Sequence, residues 1–325
     1  KATAMALWPS VHGTVSVYAV ATLAALGDSS IWPPQTTMMA RMVPDDDRQK
    51  FFGLQFMMLN LGLGAGGMIS SFMVNIHDHA SFTRLYLLDA GSYLTFFVFI
   101  ASLRGIGGRL TDEERGSRHS GSWREVLADR RLVRLTCASV LILIAGYASV
   151  DTGMPAMLTT VGGLDVSDLG PVWAVNTTLI VILQLVMLGR IAGRSRTRLL
   201  AVVCGLWAVS WVINGVGVLS HTAVFATACL ATAVFAVGET IWSPIGATLQ
   251  NQIAPEHLRG RYNSLGALSW VVSGSIGPLI SGFMLQAQLV AQWIGLLIGL
   301  LAVAALVVLR LGKVLTPEEN GLVAH

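Results

Sequence analysis

Leu26-Gly27-Asp28-Ser29-Ser30-Ile31-Trp32-Pro33-Pro34 and Val237-Gly238-Glu239-Thr240-Ile241-Trp242-Ser243-Pro244 are two copies of one stretch, an acid followed by a Trp-Pro break inside a long apolar run. The correspondence extends outward from this core. The offset is 211 at Gly27/Gly238 and Asp28/Glu239, and 210 at Trp32/Trp242 and Pro34/Pro244. It returns to 211 at Pro44/Pro255, Arg48/Arg259, Gly66/Gly277, Ile69/Ile280, Ser70/Ser281 and Phe72/Phe283. A short indel on each side of the Trp-Pro core accounts for the difference. A repeat of this length means two similar halves facing one another.

Composition sets the solvent. Charged residues make up 12% of the 325-residue chain and apolar ones 54%, with a mean hydropathy of +0.65. Soluble domains carry about 25% charge, so this surface cannot be coated for water. Apolar runs fall at 14–43, 51–75, 84–103, 133–158, 168–189, 197–219, 222–250, 263–285 and 288–311. At 1.5 Å rise per residue each can cross a hydrocarbon core of about 30 Å. The expected fold class is therefore an all-α polytopic membrane protein with nine spans, after a short stub.

Lys and Arg cluster in alternate connections, 19 of 21 on one side: Arg41, Arg48 and Lys50; the stretch Arg104 to Arg134; Arg190 to Arg198; Arg259 and Arg261; Arg310 and Lys313. Only Arg84 and Lys1 fall on the other. The basic side is cytoplasmic by the positive-inside rule, which puts the C-terminus inside and residue 1 outside. An odd span count conflicts with two equal halves. The second half begins near Arg131, so the repeat puts the start of the first roughly 80 residues before Lys1. The chain then reads as N-terminally truncated, lacking about three helices.

The acids inside spans carry the functional reading. A charge at membrane depth costs about 2.5–3.5 kcal/mol on insertion scales, so it faces a water-filled cavity or a partner. Asp28 and Glu239 are read as a cavity pair that binds substrate or carries a proton, against a purely structural role beside a kinked backbone. Asp151, before Pro155, is a third buried acid; Asp89, near the outer end of its span, tells less. The prolines at 33, 34 and 244 force kinks whose freed carbonyls need donors from neighbouring helices or from Ser and Thr.

Other signals point to packing. Gly62, Gly64 and Gly67 match a dinucleotide-binding glycine pattern, but no strand precedes them and the run lies in a span. Spaced like Gly62 and Gly66, small residues let helix backbones approach closely. Ser122-Trp123-Arg124-Glu125 is a capping box opening a short amphipathic helix on the inner surface, or part of a flexible basic linker. His77-Asp78-His79 lacks a third ligand and reads as a solvated loop. Asn176-Thr177-Thr178 is a glycosylation sequon inside a span and is set aside. Cys137, Cys204 and Cys229, all within apolar runs, read as small buried hydrophobes. The sequence holds no P-loop, zinc spacing or catalytic triad pattern.

The chain resembles the major facilitator superfamily. The stretch from Gly53 through Gly62, Gly66 and Gly67 to Ser71 resembles the family's antiporter motif, g-x8-G-x3-G-P-x2-G-G, with Gly67 in place of proline; its repeat keeps Gly277-Pro278. The basic turn Gly189-Arg190 to Arg194 and Arg198 resembles the G-x-L-A-D-R-x-G-R-K loop, with Gly193 where the acid would stand. Pro255 to Tyr262, with Arg259 and Arg261, looks like the loop before helix eleven in multidrug-efflux members. Residues 14–40 lack the arginine that proton-coupled exporters often carry in helix four, which leaves the coupling ion open.

The resemblance implies helices 4–12 of that fold: residues 1–103 a partial N-terminal bundle, 104–132 an inter-bundle loop, 133–312 a six-helix bundle and 313–325 a cytoplasmic tail. Asp28, Asp151 and Glu239 then fall on helices four, seven and ten, which line the central cavity in that family. The function expected is a secondary transporter in the cell membrane, a proton-coupled or uncoupled exporter of small organic compounds or drugs. Trp32, Pro33, Pro34, Trp242 and Pro244 would act in gating. Its partners would be a small-molecule substrate, the lipid bilayer and protons, with no cofactor, metal or nucleic acid, and the protein would be a monomer and not an enzyme. The rival readings are an uptake carrier for a sugar or organic anion, a non-transporting membrane receptor or scaffold, and a membrane-embedded enzyme.

Overall fold

A computed structural model describes residues 1–42, 48–74, 78–102, 122–219 and 223–322, and in these the side chains of 29, 30, 32–42, 48, 49, 68, 71 and 256 lie outside the description. The described residues are helical nearly throughout, and seven helical segments are long and apolar enough to cross a membrane. They are His79–Ser102, Arg130–Thr160, Val166–Ile191, Arg196–Leu219, Val224–Ile253, Arg259–Gln286 and Val290–Leu311. The first two expected spans coincide with helices of 29 and 26 residues, Thr14–Met42 and Arg48–Met73. The apolar part of the former that is described, Thr14–Asp28, falls short of a span.

The helices are numbered in chain order. They are α1 (Ala2–Leu7), α2 (Thr14–Met42), α3 (Arg48–Met73), α4 (His79–Ser102), α5 (Trp123–Ala128) and α6 (Arg130–Leu143), which continues through a π-helical segment (Ile144–Gly153) into α7 (Met154–Thr160). Then come α8 (Leu169–Ile191), α9 (Arg196–Leu219), α10 (Val224–Ile253), α11 (Arg259–Gln286) and α12 (Val290–Leu311). Large apolar side chains such as Phe97, Phe99, Leu185, Val216 and Leu279 stand exposed along them. For membrane-crossing helices these are faces for acyl chains, which explains why apolar residues surround each helix instead of forming one stripe.

Contacts divide the chain into two compact units, Lys1–Arg48 with Gly62–Thr111, and Gln49–Leu61 with Asp112–His325. In the first, α1 lies against α4 and α2, around Ala4, Met5, Val20, Ala24 and Ala90. In the second, α9 packs on α10 and α12, α10 on α8, and α11 on α6 and its π segment. Trp207, Trp211 and Trp293 are fully buried there.

Small residues set the helix distances in the second unit. Ser269, Ser273, Gly277 and Ser281, four residues apart on α11, are all buried. A Cβ on Gly277 would stand 2.4 Å from that of Ala148, and Ser273 donates to the Val140 carbonyl at 3.1 Å. The first-half copy differs. A Cβ on Gly62, Gly66 or Gly67 meets nothing within 4 Å, so the close backbone approach expected at Gly62 and Gly66 is absent among the described residues. At Gly53 the neighbour is the flexible Leu188 side chain, 2.7 Å away.

Polar caps finish the ends. The Ser122 Oγ accepts from the Glu125 amide at 3.1 Å, so the N-cap half of the expected capping box forms and opens α5. Asp129 caps α6 through the Arg131 amide at 2.8 Å. Asp78 accepts from the Ala80 amide and pairs with Arg84, a helix-capping role; His77 lies outside the described residues. The chain after α12 folds back on the second unit, where Asn320 Oδ1 accepts from the Thr197 amide at 3.0 Å. One cysteine reading is corrected. Cys204 is buried, but Cys137 is exposed and Cys229 only partly buried.

Candidate functional site

Glu239 sits fifteen residues into α10, five before the Pro244 break, and is only 5% exposed. Its carboxylate accepts from Asn176 Nδ2 of α8 at 2.5 Å and hydrogen-bonds with the Tyr147 hydroxyl of the π segment. Asp151, on the same π segment, is within electrostatic reach of it. A buried carboxylate needs such donors, because an unpaired one would be very costly. Glu239, expected on an open cavity wall, is thus sealed by two neighbouring helices, while Asp151 is exposed.

Aromatic rings close around this carboxylate. Tyr147 lies 5.5 Å from Trp207, 6.0 Å from Phe235 and 5.0 Å from Trp270 between ring centroids. Trp207 stacks on Phe235 at 4.5 Å and tilts against Trp242 at 6.2 Å. Tyr147 is half-buried and Trp270 is half exposed, so the box has an accessible side. The accessible faces are those of Tyr147 and Trp270, backed by buried rings that pack on one another. Apolar faces of this kind suit flat organic molecules and cations, beside one carboxylate that can hold a charge or a proton.

Broken backbone surrounds the acid. Pro244 has no amide hydrogen, so the Thr240 carbonyl loses its helical donor; Gln184 Nε2 of α8 donates to it at 3.4 Å. The π segment is irregular at Gly146, whose φ and ψ are −91° and −108°. There Trp211 Nε1 donates to the Ala145 carbonyl at 2.7 Å and Ser149 Oγ to Ile144 at 2.7 Å. Wide helical turns of this kind are frequent at functional sites. Gly238 is required beside the acid, because a Cβ there would stand 2.3 Å from Trp207 Nε1.

The first unit has a counterpart. Asp28, the middle residue of α2, is 46% exposed and pairs with Lys1 Nζ at 2.5 Å. Lys1, assigned to the outer side by charge counting, therefore lies at the level of a mid-helix acid, because α1 runs back along α2. The adjacent Gly27 again leaves room, since a Cβ would stand 2.8 Å from the Lys1 backbone nitrogen. Helix α4 starts earlier than the apolar run suggested, so Asp89 lies ten residues in, where it, Lys1 and Asp28 all act on Tyr93. Sequence reasoning named Lys1, Asp89 and Asn176 without giving them a place at a site, and did not single out Tyr93 or Tyr147. The side chains of Trp32, Pro33 and Pro34 are outside the described residues, though α2 is helical across them.

The motif residues on the basic end behave as a loop. Helix α8 ends at Ile191, and Gly193 takes φ +68°, a left-handed turn that favours glycine. That requirement accounts for a glycine where the family loop has its acid. Arg190, Arg194 and Arg198 are exposed, and Arg259 and Arg261 are half-buried.

The Major Facilitator Superfamily model matches residues 2–236 and 181–324. The chain belongs to the Major Facilitator Superfamily. It is 25% identical over 241 residues to the uncharacterized MFS-type transporter YdeE of Escherichia coli K12, across 74% of this chain and 58% of that one. It is 24% identical over 277 residues to the multidrug resistance protein MdtH of Cronobacter sakazakii, across 82% of this chain and 63% of MdtH. An MFS-type efflux pump of Mycolicibacterium smegmatis is 27% identical over 192 residues, 57% of this chain and 44% of the pump. The chain thus spans less than two thirds of the length of these relatives. In fold it is similar to a crystal structure of the peptide transporter POT (a Glu-to-Gln mutant), with TM-score 0.66, 17% identity, and coverage of 97% of this chain and 78% of that one. The superfamily fold and its multi-pass membrane character follow.

Proposed function

We propose that the chain is part of a secondary transporter that exports small organic compounds by alternating access. The observation that carries the reading is the Glu239 carboxylate, held by Asn176 and Tyr147 inside an aromatic box between membrane-crossing helices. Two relatives bear names of multidrug resistance or efflux proteins, which supports export over uptake. In this reading the box takes the apolar body of the substrate. Glu239, with Asp151 at the accessible side, takes its charge or exchanges a proton for it. Asp28, paired with Lys1, has the matching role in the other half. The breaks at Pro244 and at Trp32-Pro33-Pro34 let helix ends tilt while the site stays fixed. Protonating either acid cheapens its burial and so biases one access state over the other.

Dye efflux from cells expressing the intact gene, followed against external pH, tests this. Glu239→Gln is expected to lower efflux about a hundredfold or more, the usual scale for losing a proton-transfer group. If Asp28→Asn combined with Glu239→Gln leaves both rate and pH dependence as in the parent, the proposal fails.

A further inference from the structure

Away from the acid site, the second unit carries a surface cavity of about 570 Å³ at its basic end. Arg198 of α9, Arg310 of α12 and Lys313 just beyond it line one part; Leu306, Leu309 and Leu322 line another. Leu306, Leu309, Arg310 and Lys313 follow helical spacing, so one face of α12 passes from apolar to basic as it leaves the bundle. The leucines are 57%, 42% and 52% exposed. The three cations are exposed too, and no acidic partner is paired with any of them among the described residues. The floor is already satisfied: Ser195 and Thr197 bond to each other, and Thr197 bonds to Asn320. A cation in the last turn of α12 is expected from its dipole, which accounts for Arg310 alone and not for Arg198 on a different helix.

The geometry points to a binding site for an anionic phospholipid, its phosphate held by Arg198, Arg310 and Lys313 and its acyl chains laid along Leu306 and Leu309. The volume falls within the range of small-ligand sites, and the pairing of phosphate-binding cations with an apolar wall on a membrane-crossing helix suits an amphiphile better than a free anion. Basic pockets between helices on this kind of membrane face hold lipid headgroups through the same charge arithmetic.

The test is thermal unfolding of the full chain in phosphatidylcholine nanodiscs with increasing phosphatidylglycerol, with retained lipid counted by native mass spectrometry. Phosphatidylglycerol is expected to raise the unfolding temperature saturably, where added phosphatidylcholine does not. Arg310→Gln with Lys313→Gln should weaken apparent affinity about 25-fold, taking roughly fivefold per basic residue. Arg130→Gln with Arg134→Gln removes equal charge from the same end and should leave the affinity intact. The charge-conserving Lys313→Arg should bind as the parent does, which shows that this position tolerates change. Equal stabilisation by the two lipids, unchanged affinity in the Arg310/Lys313 variant, or equal loss in the Arg130/Arg134 variant would overturn the assignment. So would inorganic phosphate alone reproducing the shift, since the occupant would then be a soluble anion.

Discussion

Asn176 Nδ2 lies 2.5 Å from Glu239 Oε2, which ties α8 to α10 at a buried acid. The amide is both a structural support and the group that sets how readily the carboxylate can leave its burial. Asn176→Ala removes a donor from a buried acceptor, with an expected cost of about 1–3 kcal/mol. Combined with Glu239→Gln, the loss should be smaller than the sum of the two single changes, because the neutral amide needs less support. Thermal unfolding of the parent, both single variants and the double variant closes that cycle.

The paired glycines of the repeat give a second prediction. Gly277 has the Ala148 Cβ at 2.4 Å from its own Cβ position, whereas Gly66, its counterpart 211 residues earlier, has open space. Gly277→Ala should destabilise by about 1–3 kcal/mol through overpacking. Gly66→Ala should be neutral or stabilise by up to about 1 kcal/mol, since alanine is the better helix former. Unfolding midpoints of the two variants, measured side by side, separate the cases.

Those two glycines also show how far the sequence could be read. Helices were legible because nothing in an apolar run competes with helix formation at membrane depth, and seven of the nine expected spans coincide with helices long and apolar enough to cross a membrane. The acids at 28, 151 and 239 were legible because charge in such a run is conspicuous. Their partners were not. Asn176 read as a discarded sequon, and Tyr147 was not singled out, since hydrogen bonds between distant helices leave no local pattern. One signal was available: Asn176 and Gln184, eight residues apart, share a face of an otherwise apolar helix, and both bond to α10. The spacing that made Gly62 and Gly66 look like Gly277 could not say which copy a neighbouring backbone approaches.

Pro244 yields a third expectation. Its missing amide hydrogen leaves the Thr240 carbonyl to Gln184, so that buried acceptor depends on a side chain from another helix. Pro244→Ala restores the backbone donor; stability should hold or rise, while dye efflux slows several-fold because the helix end no longer tilts. Gln184→Ala should cost about 1 kcal/mol in the parent and much less in the Pro244→Ala background. Additive effects in that pair would rule out the carbonyl exchange.

The basic end supplies a pH-dependent case. Asp129 accepts from the Tyr262 hydroxyl at 2.8 Å and from the Arg131 amide, and Arg131 reaches Glu319 of the folded-back tail at 2.8 Å. Partial burial pushes the Asp129 carboxyl up, but the hydrogen bonds from Tyr262 and Arg131 outweigh it and hold the group below its ordinary value. A lowered carboxyl favours the folded state at every pH above the ordinary carboxylate value of about 4, and that contribution disappears as pH falls through the folded-state value. Asp129→Asn should therefore lower the unfolding midpoint by a constant amount between neutral pH and about pH 5. Discounted for solvent screening, the difference is about 1 kcal/mol, and the two curves should converge in acid. A gap between parent and variant that widens on acidification would show that the carboxylate is not what ties Tyr262 and Arg131 together.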